Sequence, residues 1–257
     1  MTREEIERHI RTKFFGREIH AFDTLDSTNS FAKTIAADGA PEGTLVIAEE
    51  QLTGRGRHGR RWHSAPGSNL TFSIVIRPAI SPKFIGLLSL YAGLAVAEAL
   101  DKFAPVKPTC KWPNDVLVDG KKICGILSEV TFTRGILDAA VVGIGLNVNQ
   151  TEFLPAIGKP PTSLACCAGR TFDRYIVLAE ILLRLEMRYD LIRQMKYQQL
   201  IDTWLDWTTM IGKEVIVDQQ GELITGIPKA LADDGGLILE TTHGERKVVA
   251  GDVTIVP

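Results

Sequence analysis

Residues Gly54–Trp62 read GRGRHGRRW, so four arginines and one histidine are interleaved with three glycines. No acidic residue lies between Glu50 and Glu98, and nothing nearby in the sequence neutralises this charge. Crowded guanidinium groups repel one another unless an anion binds between them or water solvates them. Glycine lets a backbone approach a ligand closely. The run predicts a clamp for phosphates or carboxylates, and a solvated basic turn is the alternative.

The same run also fits the dinucleotide-binding pattern GxGxxG, with glycines at Gly54, Gly56 and Gly59. That fingerprint requires a strand before it, a helix after it, and small or apolar residues between the glycines. Here arginines fill the gaps, and the chain continues through Pro66-Gly67 into a predicted strand. The GK[ST] ending of a Walker motif does not follow. We therefore predict neither of these nucleotide-binding folds.

The composition indicates a globular chain in which the basic run is a local exception. The 257 residues are 45% hydrophobic and carry a net charge of −2, which favours a large core and argues against a surface that coats nucleic acid. The first twenty residues are charged throughout and lack a signal-peptide core. The longest apolar stretch, 84–100, is too interrupted for a membrane span and predicts a buried helix. We expect a cytoplasmic protein that binds neither membranes nor nucleic acid.

The character of the sequence changes near Thr209, where we place a boundary between two domains, 1–209 and 210–257. Before this point, predicted helices and strands alternate. After it, about five short apolar runs are separated by turn signals such as Asp233–Gly236, a pattern typical of a small β-barrel.

A second polar group, Lys111–Asp115, reads KWPND. Pro113 fixes its own backbone and favours an extended Trp112, which crowds an amine, an amide and a carboxylate together. Lysine suits a phosphate, and the Asp115 carboxylate is a ligand suited to Mg²⁺. The alternative is a surface turn with Trp112 packed in the core.

Two predicted strands carry glycines where another group is expected to come close. Asp119-Gly120 is a strong hairpin turn signal, and the returning strand contains Lys122 and Gly125. A later strand ends in GIGLN at Gly143–Asn147. The alternatives are tight helix packing for the glycines and a solubility role for Lys122.

Several motifs follow one another in a specific order: DSTN at Asp26–Asn29, Gln51, GRGRHGRRW at Gly54–Trp62, KWPND at Lys111–Asp115, KKICGIL at Lys121–Leu127 and GIGLN at Gly143–Asn147. In this combination the chain resembles the biotin protein ligases, from about Phe22 to the C-terminus. The resemblance implies an α+β fold with a mixed or antiparallel central sheet and flanking helices, of the class II synthetase-like biotin/lipoate ligase type. It also implies a small C-terminal SH3-like β-barrel. Lipoate ligases share the fold but usually lack the pair formed by the basic run and KWPND.

The resemblance implies an ATP-dependent enzyme that activates biotin as biotinyl-5′-AMP. The biotinyl group then passes to one lysine of a biotin carboxyl carrier protein domain, in acetyl-CoA carboxylase or a related carboxylase. ATP and Mg²⁺ are required, since the first step brings a carboxylate against a phosphate. The basic loop would close over the water-labile adenylate, and its arginines would gain partners only with ligand bound. The alternatives are a lipoate or octanoate ligase or transferase of the same fold and, in another class, a nucleic-acid-binding module.

Residue roles follow from the resemblance by matching positions. The residues expected to bind biotin are Ser27, Thr28, Asn29, Gln51, Gly54, Arg55, Gly56, Arg57, Lys122, Gly125 and Gly143. Those expected to bind ATP are Arg57, Arg60, Trp62, Lys111, Asn114, Lys122 and Asn147. Arg57 and Lys122 are the expected catalytic residues, and Asp115 is the expected Mg²⁺ ligand.

Two further expectations concern assembly and regulation. Some members of the family carry an N-terminal DNA-binding domain of roughly sixty residues that represses transcription. Since only about twenty residues precede the first predicted strand here, we expect a ligase without the repressor role. The resemblance also implies a homodimer.

Overall fold

The computed structural model describes residues 1–133, 136–153 and 160–256. Its α-helices are α1 Arg3–His9, α2 Thr28–Ala37, α3 Leu87–Leu100, α4 Leu164–Ala168, α5 Arg174–Arg193 and α6 Tyr197–Leu205. The strands of the first part are β1 Ile19–Leu25, β2 Leu45–Gln51, β3 Leu70–Ile76, β4 Thr109–Lys111, β5 Asp115–Val118, β6 Lys121–Thr133 and β7 Ile136–Leu146. Those of the second part are β8 Val215–Gln219, β9 Glu222–Leu231, β10 Leu237–Thr241, β11 Gly244–Val248 and β12 Asp252–Ile255.

The first seven strands form one mixed sheet in the order β1-β2-β3-β7-β6-β5-β4. Strands β1 and β2 are parallel, and every other neighbouring pair is antiparallel. The predicted α+β fold with a mixed central sheet is thus confirmed. Local turn chemistry contributes to this topology: Asp119 and Gly120, with φ of 51° and 68°, form the predicted hairpin turn between β5 and β6.

Helices cover both faces of this sheet. The larger hydrophobic core lies between one face and helices α1, α3, α5 and α6, and a smaller core packs α2 on the other face against Val46, Val75 and Val141. The segment Pro82–Leu100 is apolar and long enough to cross a membrane. However, nearly all of α3 is buried in the larger core, which confirms the predicted buried helix.

The last five strands form an antiparallel sheet in the order β11-β10-β9-β8-β12. Within the described part of the chain, no strand pairing joins β11 to β12, so closure into a barrel stays a prediction. The indole of buried Trp112 donates a hydrogen bond to Gly235 O (2.9 Å), which ties this sheet to the turn after β4. The same sheet places the start of β12, at Asp252, beside the basic run.

Candidate active site

One cleft gathers most of the predicted site residues. It opens where β2 ends and α2 begins, and the basic loop crosses it over the first half of β6 and the end of β7. Its cavity volume is about 140 Å³. The predicted residues that line it are Ser27, Thr28, Asn29, Gln51, Arg55, Gly56, Arg57, Arg60, Trp62, Asn114, Asp115, Lys122, Gly125 and Gly143.

The deep end of the cleft is built by the start of α2. The hydroxyl of Ser27 caps the helix by accepting a hydrogen bond from the Ser30 N–H. The N–H and hydroxyl of Thr28 both donate to Gln51 Oε1, at 2.8 and 3.1 Å. The Thr28 hydroxyl oxygen in turn lies 2.8 Å from the Ser73 hydroxyl oxygen. Gln51 Oε1 accepts both hydrogen bonds from Thr28, so the Gln51 amide nitrogen can donate to a ligand.

The carboxamide of Asn29 completes this end. Its Nδ2 donates to Leu127 O (3.1 Å) and to Glu129 Oε2 (2.9 Å), and its Oδ1 accepts from the Ser73 hydroxyl (2.6 Å). Oδ1 lies so close to Gly143 that a Cβ added there would be 2.0 Å away. At Gly143, therefore, the close approach expected of a strand glycine comes from a polar side chain on the first turn of α2, the helix packed on this face of the sheet.

The basic run is an ordered, tight loop and not a nucleotide-binding helix start. Trp62 N–H donates to Gly54 O (3.0 Å), and Gly56 N–H donates to Arg60 O (2.7 Å). Between them the chain turns through one 3-10 segment, Arg57–Gly59. A Cβ on Gly54 would lie 2.5 Å from Trp62 O, so this glycine, which does not line the cleft, permits the pairing that shapes the loop.

Three of the four arginines of the loop have partners inside the chain, and one of these pairs is Arg55 with Glu129 (3.5 Å). Arg57 donates to Asn114 Oδ1 (3.3 Å) and Gly251 O (3.1 Å), and Arg60 forms an ion pair with Asp252. Burial lowers the pKa of Arg57, although Asp252 and Asp115 act in the opposite direction. The expectation that these arginines gain partners only with ligand is wrong, because the distant β12 segment supplies a carboxylate and a carbonyl.

The catalytic candidate Lys122 projects into the mouth of the cleft. Its Nζ lies 2.6 Å from Asp115 Oδ1 and 5.8 Å from the centre of the Trp62 ring. The contact with Asp115 is an ion pair by distance, but it is not directed as a hydrogen bond, and Oδ1 is buried without a hydrogen-bond partner. A solubility role for Lys122 does not fit a lysine held between a buried carboxylate and an indole.

The indole of Trp62 lies flat on the two strands that form the cleft floor. A Cβ on Gly145 would approach its ring to 2.3 Å, and one on Gly125 to 3.0 Å. Its Nε1 is buried without a partner. In the described ranges, Trp62 Nε1 is a buried side-chain polar atom with neither a hydrogen bond nor an ion pair, whereas buried Asp115 Oδ1 is neutralised by Lys122 Nζ. A buried donor without a partner at the cleft is suited to a ligand.

Two predicted ATP-binding residues lie outside the cleft lining. Lys111 is paired with Asp115 across strands β4 and β5, and burial lowers the pKa of Lys111 despite the opposing effect of Asp115. Asn147 is buried and donates to Thr162 O (3.0 Å), while Thr162 N–H donates to Lys122 O (2.9 Å). Asn147 is thus linked through Thr162 to the backbone of Lys122 and stabilises that strand from outside the cleft.

Three polar residues at or behind the cleft wall were not predicted: Asp252, which lines the cleft, and Ser73 and Glu129, which hydrogen-bond to the lining residue Asn29. Ser73 carried a usable signal, since it is one of two hydroxyl residues, with Thr71, in the mostly apolar strand LTFSIVI, and a buried hydroxyl requires a partner. Glu129 and Asp252 carried none, because their partners lie far away in the chain.

A metal ion would have to be held by few protein ligands. Within residues 1–133, 136–153 and 160–256, no group of three His, Cys, Asp or Glu side chains is placed to bind one. The Asp115 carboxylate, which already holds the Lys122 ammonium at 2.6 Å, is suited to a cation. This donor set fits Mg²⁺ that is carried mainly by phosphate oxygens and touches one carboxylate, rather than a protein cage.

Comparison with known proteins identifies the chain. The sequence model of the Biotin/lipoate A/B protein ligase family matches residues 21–147, and that of the Biotin protein ligase C terminal domain matches residues 210–256. The Bifunctional ligase/repressor BirA of Bacillus subtilis is 34% identical over 257 residues, which cover 99% of this chain and 79% of that protein. The chain belongs to the biotin protein ligases.

Other relatives agree with this assignment of family and enzyme class. The Biotin--[acetyl-CoA-carboxylase] ligase of Mycobacterium tuberculosis is 35% identical, over 96% of this chain and 94% of that protein. A solved structure, the biotin protein ligase from Aquifex aeolicus in complex with biotin and ATP, superimposes with a TM-score of 0.78 at 30% identity. The match covers 93% of this ligase and 99% of the Aquifex chain.

Proposed function

We propose that this ligase condenses biotin with ATP and transfers the biotinyl group to a lysine of a carrier protein domain. In the first step a carboxylate oxygen of biotin attacks the α-phosphorus, which forms biotinyl-5′-AMP and releases pyrophosphate. In the second step the lysine amine attacks the acyl carbon, which forms an amide and releases AMP. The observation that carries the proposal is a single cleft with an uncharged hydrogen-bonding end and a cationic mouth.

The uncharged end suits the ureido ring of biotin, which offers two N–H donors and one carbonyl acceptor. Asn29 Oδ1 keeps one lone pair after accepting from Ser73, and Gln51 keeps its amide nitrogen. The dithiolane ring of lipoate offers no N–H and no carbonyl. Buried polar groups left without partners would disfavour lipoate strongly, so we propose biotin rather than lipoate or octanoate as the substrate.

The cationic mouth suits the meeting of two anions. With the ureido ring in the uncharged end, the carboxylate of biotin would point toward the mouth and meet the α-phosphate there. Arg55, Arg57 and Lys122 line this part of the cleft. A fixed positive charge there stabilises the transition state, because it opposes the charge that develops on the phosphate. Arg60 and Trp62 would bind the rest of the nucleotide, and Asp115 would touch Mg²⁺ carried by the phosphates.

Further parts of the proposal concern partners and assembly. The carrier would be a biotin carboxyl carrier protein domain of acetyl-CoA carboxylase or a related enzyme, supported by the name of the Mycobacterium relative. The division into 1–209 and 210–257 is supported by the separate family matches to residues 21–147 and 210–256. Homodimer formation, an SH3-like barrel and the absence of a repressor role stay predictions.

The test is a mass measurement on the carrier. The protein is incubated with Mg²⁺, ATP, biotin and a biotin carboxyl carrier domain, and we expect the carrier to gain one biotinyl group. A carrier whose acceptor lysine is replaced by arginine is the control and should keep its mass. A carrier that gains a lipoyl group from lipoate but none from biotin would overturn the proposal.

A further inference from the structure

The carboxylate of Glu129 joins the two ends of the cleft. It stands on β6, two residues after Leu127, with its side chain 20% exposed. It accepts hydrogen bonds from two side chains of α2, Asn29 Nδ2 (2.9 Å) and Lys33 Nζ (2.6 Å). It also forms an ion pair with Arg55 Nη1 of the basic loop (3.5 Å). Asn29 and Lys33 are four residues apart, so they lie on the same face of the helix.

These contacts fix which way the Asn29 carboxamide points. An amide can present either its oxygen or its nitrogen to a pocket, and its neighbours decide between the two. Here Nδ2 lies between Leu127 O and the Glu129 carboxylate, which can only accept hydrogen bonds. A flipped amide would place its oxygen against two other acceptors. The acceptor Oδ1 must therefore face Ser73 and the cleft.

The charge of Glu129 is maintained by the same neighbours. Burial alone would raise the pKa of Glu129, but hydrogen bonds from Lys33 and Asn29 bring it below its ordinary value. The carboxylate therefore stays ionised near neutral pH and makes a charge-assisted hydrogen bond with Asn29, which is stronger than a neutral one. It also attracts Arg55, a half-exposed side chain at the cleft rim.

We propose that Glu129 is a positioning residue for ligand selection, which locks Asn29 with its acceptor toward the cleft and so selects an acid that presents an N–H donor there. This proposal rests on the proposed function, because the ureido group of biotin would supply that donor. Glu129 itself would not touch the ligand. A merely structural carboxylate would hold α2 on the sheet without changing which ligand the cleft prefers.

The decisive experiment compares two ligands in calorimetry: biotin, and a biotin analogue in which a ureido N–H is replaced by CH₂. In Glu129→Met, which keeps the length of the side chain but removes its acceptors, we expect biotin affinity to fall about tenfold. Affinity for the analogue should stay within about twofold, so that selectivity narrows about fivefold or more. Glu129→Gln retains one acceptor oxygen for Asn29 and should keep most of the selectivity.

Glu49 provides a matched control. It is a carboxylate of similar exposure (16%) in the same sheet, paired with Arg174 and the N-terminal amine, and it does not line the cleft. Glu49→Met should alter the melting temperature without changing the ratio of the two affinities.

Two outcomes would overturn the role of Glu129. One is an equal loss of affinity for both ligands in Glu129→Met, and the other is a folded Glu129→Gln protein that has lost the selectivity. The second remains decisive if the Met variant does not fold. Failure of the proposed function has a different signature, since the unaltered protein would then bind no biotin at all.

Discussion

The two ends of the cleft are built in opposite ways. At the deep end, Ser27, Thr28 and Asn29 are uncharged, 3–4% exposed, and held by hydrogen bonds to neighbours in α2, β2, β3 and β6. At the mouth, the side chains of Arg55 and Arg60 are 50% and 65% exposed and are held by ion pairs. Exposed ion pairs are weak and exchangeable, whereas buried hydrogen-bond networks are rigid.

Under the proposed function, this difference would assign ligand recognition to the deep end and the reaction with ATP to the mouth. The deep end presents a fixed pattern of donors and acceptors, which suits the selection of one neutral ring. The mouth holds its positive charge against internal carboxylates, Asp115 and Asp252, that an incoming phosphate can replace. Contacts within the chain thus hold the loop, and a loop that is held in its binding shape costs less entropy on binding.

The largest expected effect lies at the mouth, where Lys122 is replaced by alanine. We expect pyrophosphate release with biotin and ATP to slow by about 10²- to 10³-fold, the usual loss when one charge-stabilising donor is removed. Lys122→Ala also leaves Asp115 without its cation. The exposed neighbour provides the control, and Lys121→Ala should release pyrophosphate at the normal rate. A rate for Lys122→Ala within twofold of normal would remove this lysine from the chemistry.

A smaller effect is expected at the deep end from Gly143→Ala. The added methyl group would collide with Asn29 Oδ1. Such overpacking costs about 1–3 kcal/mol, which corresponds to about 5- to 150-fold in biotin affinity if the cost falls on the bound state. ATP affinity should be preserved, which would separate the two ends experimentally. Gly93→Ala is the control, because its Cβ would only make an ordinary contact with Ile126 at 3.5 Å. Equal weakening of biotin and ATP would contradict the separation.

The smallest effect should come from Asp252→Asn, which removes the ion pair with Arg60. An exposed pair is worth about 0–1 kcal/mol. We therefore expect the loop to be cleaved by trypsin at its arginines up to about five times faster in the absence of ligand. Added salt should reduce the difference, because screening weakens the pair in the original protein. Asp233→Asn, which loses an exposed pair with Lys83, should leave cleavage of this loop unchanged.

Local signals in the sequence predicted most of the elements around the cleft. The Asp119-Gly120 turn, the helix start at Ser27 and the basic run each act through neighbours within a few residues, and the structure contains each of them. The dinucleotide-binding pattern was also correctly rejected from local sequence, because basic residues stand between its glycines, and the structure has only a 3-10 segment there. Trp112 was predicted to pack in the core under one alternative, and it does.

Contacts between distant segments were beyond the reach of such signals. Asp252 meets Arg60 across 192 residues of sequence, and Glu129 meets Asn29 across 100. The residues next to these two carboxylates in the sequence do not predict their partners. The expectation of unpaired arginines failed on this point.

The sequence by itself determined the kinds of chemical group available, the turns and caps that present them, and the family that this order of motifs indicates. The tertiary structure alone decided which cations are neutralised, which way the Asn29 amide faces, and why Gly143 and Gly145 tolerate no side chain. The physical reason is that conformational preferences act through adjacent residues, whereas electrostatic and steric contacts depend on distance in space, which only the packed sheet establishes.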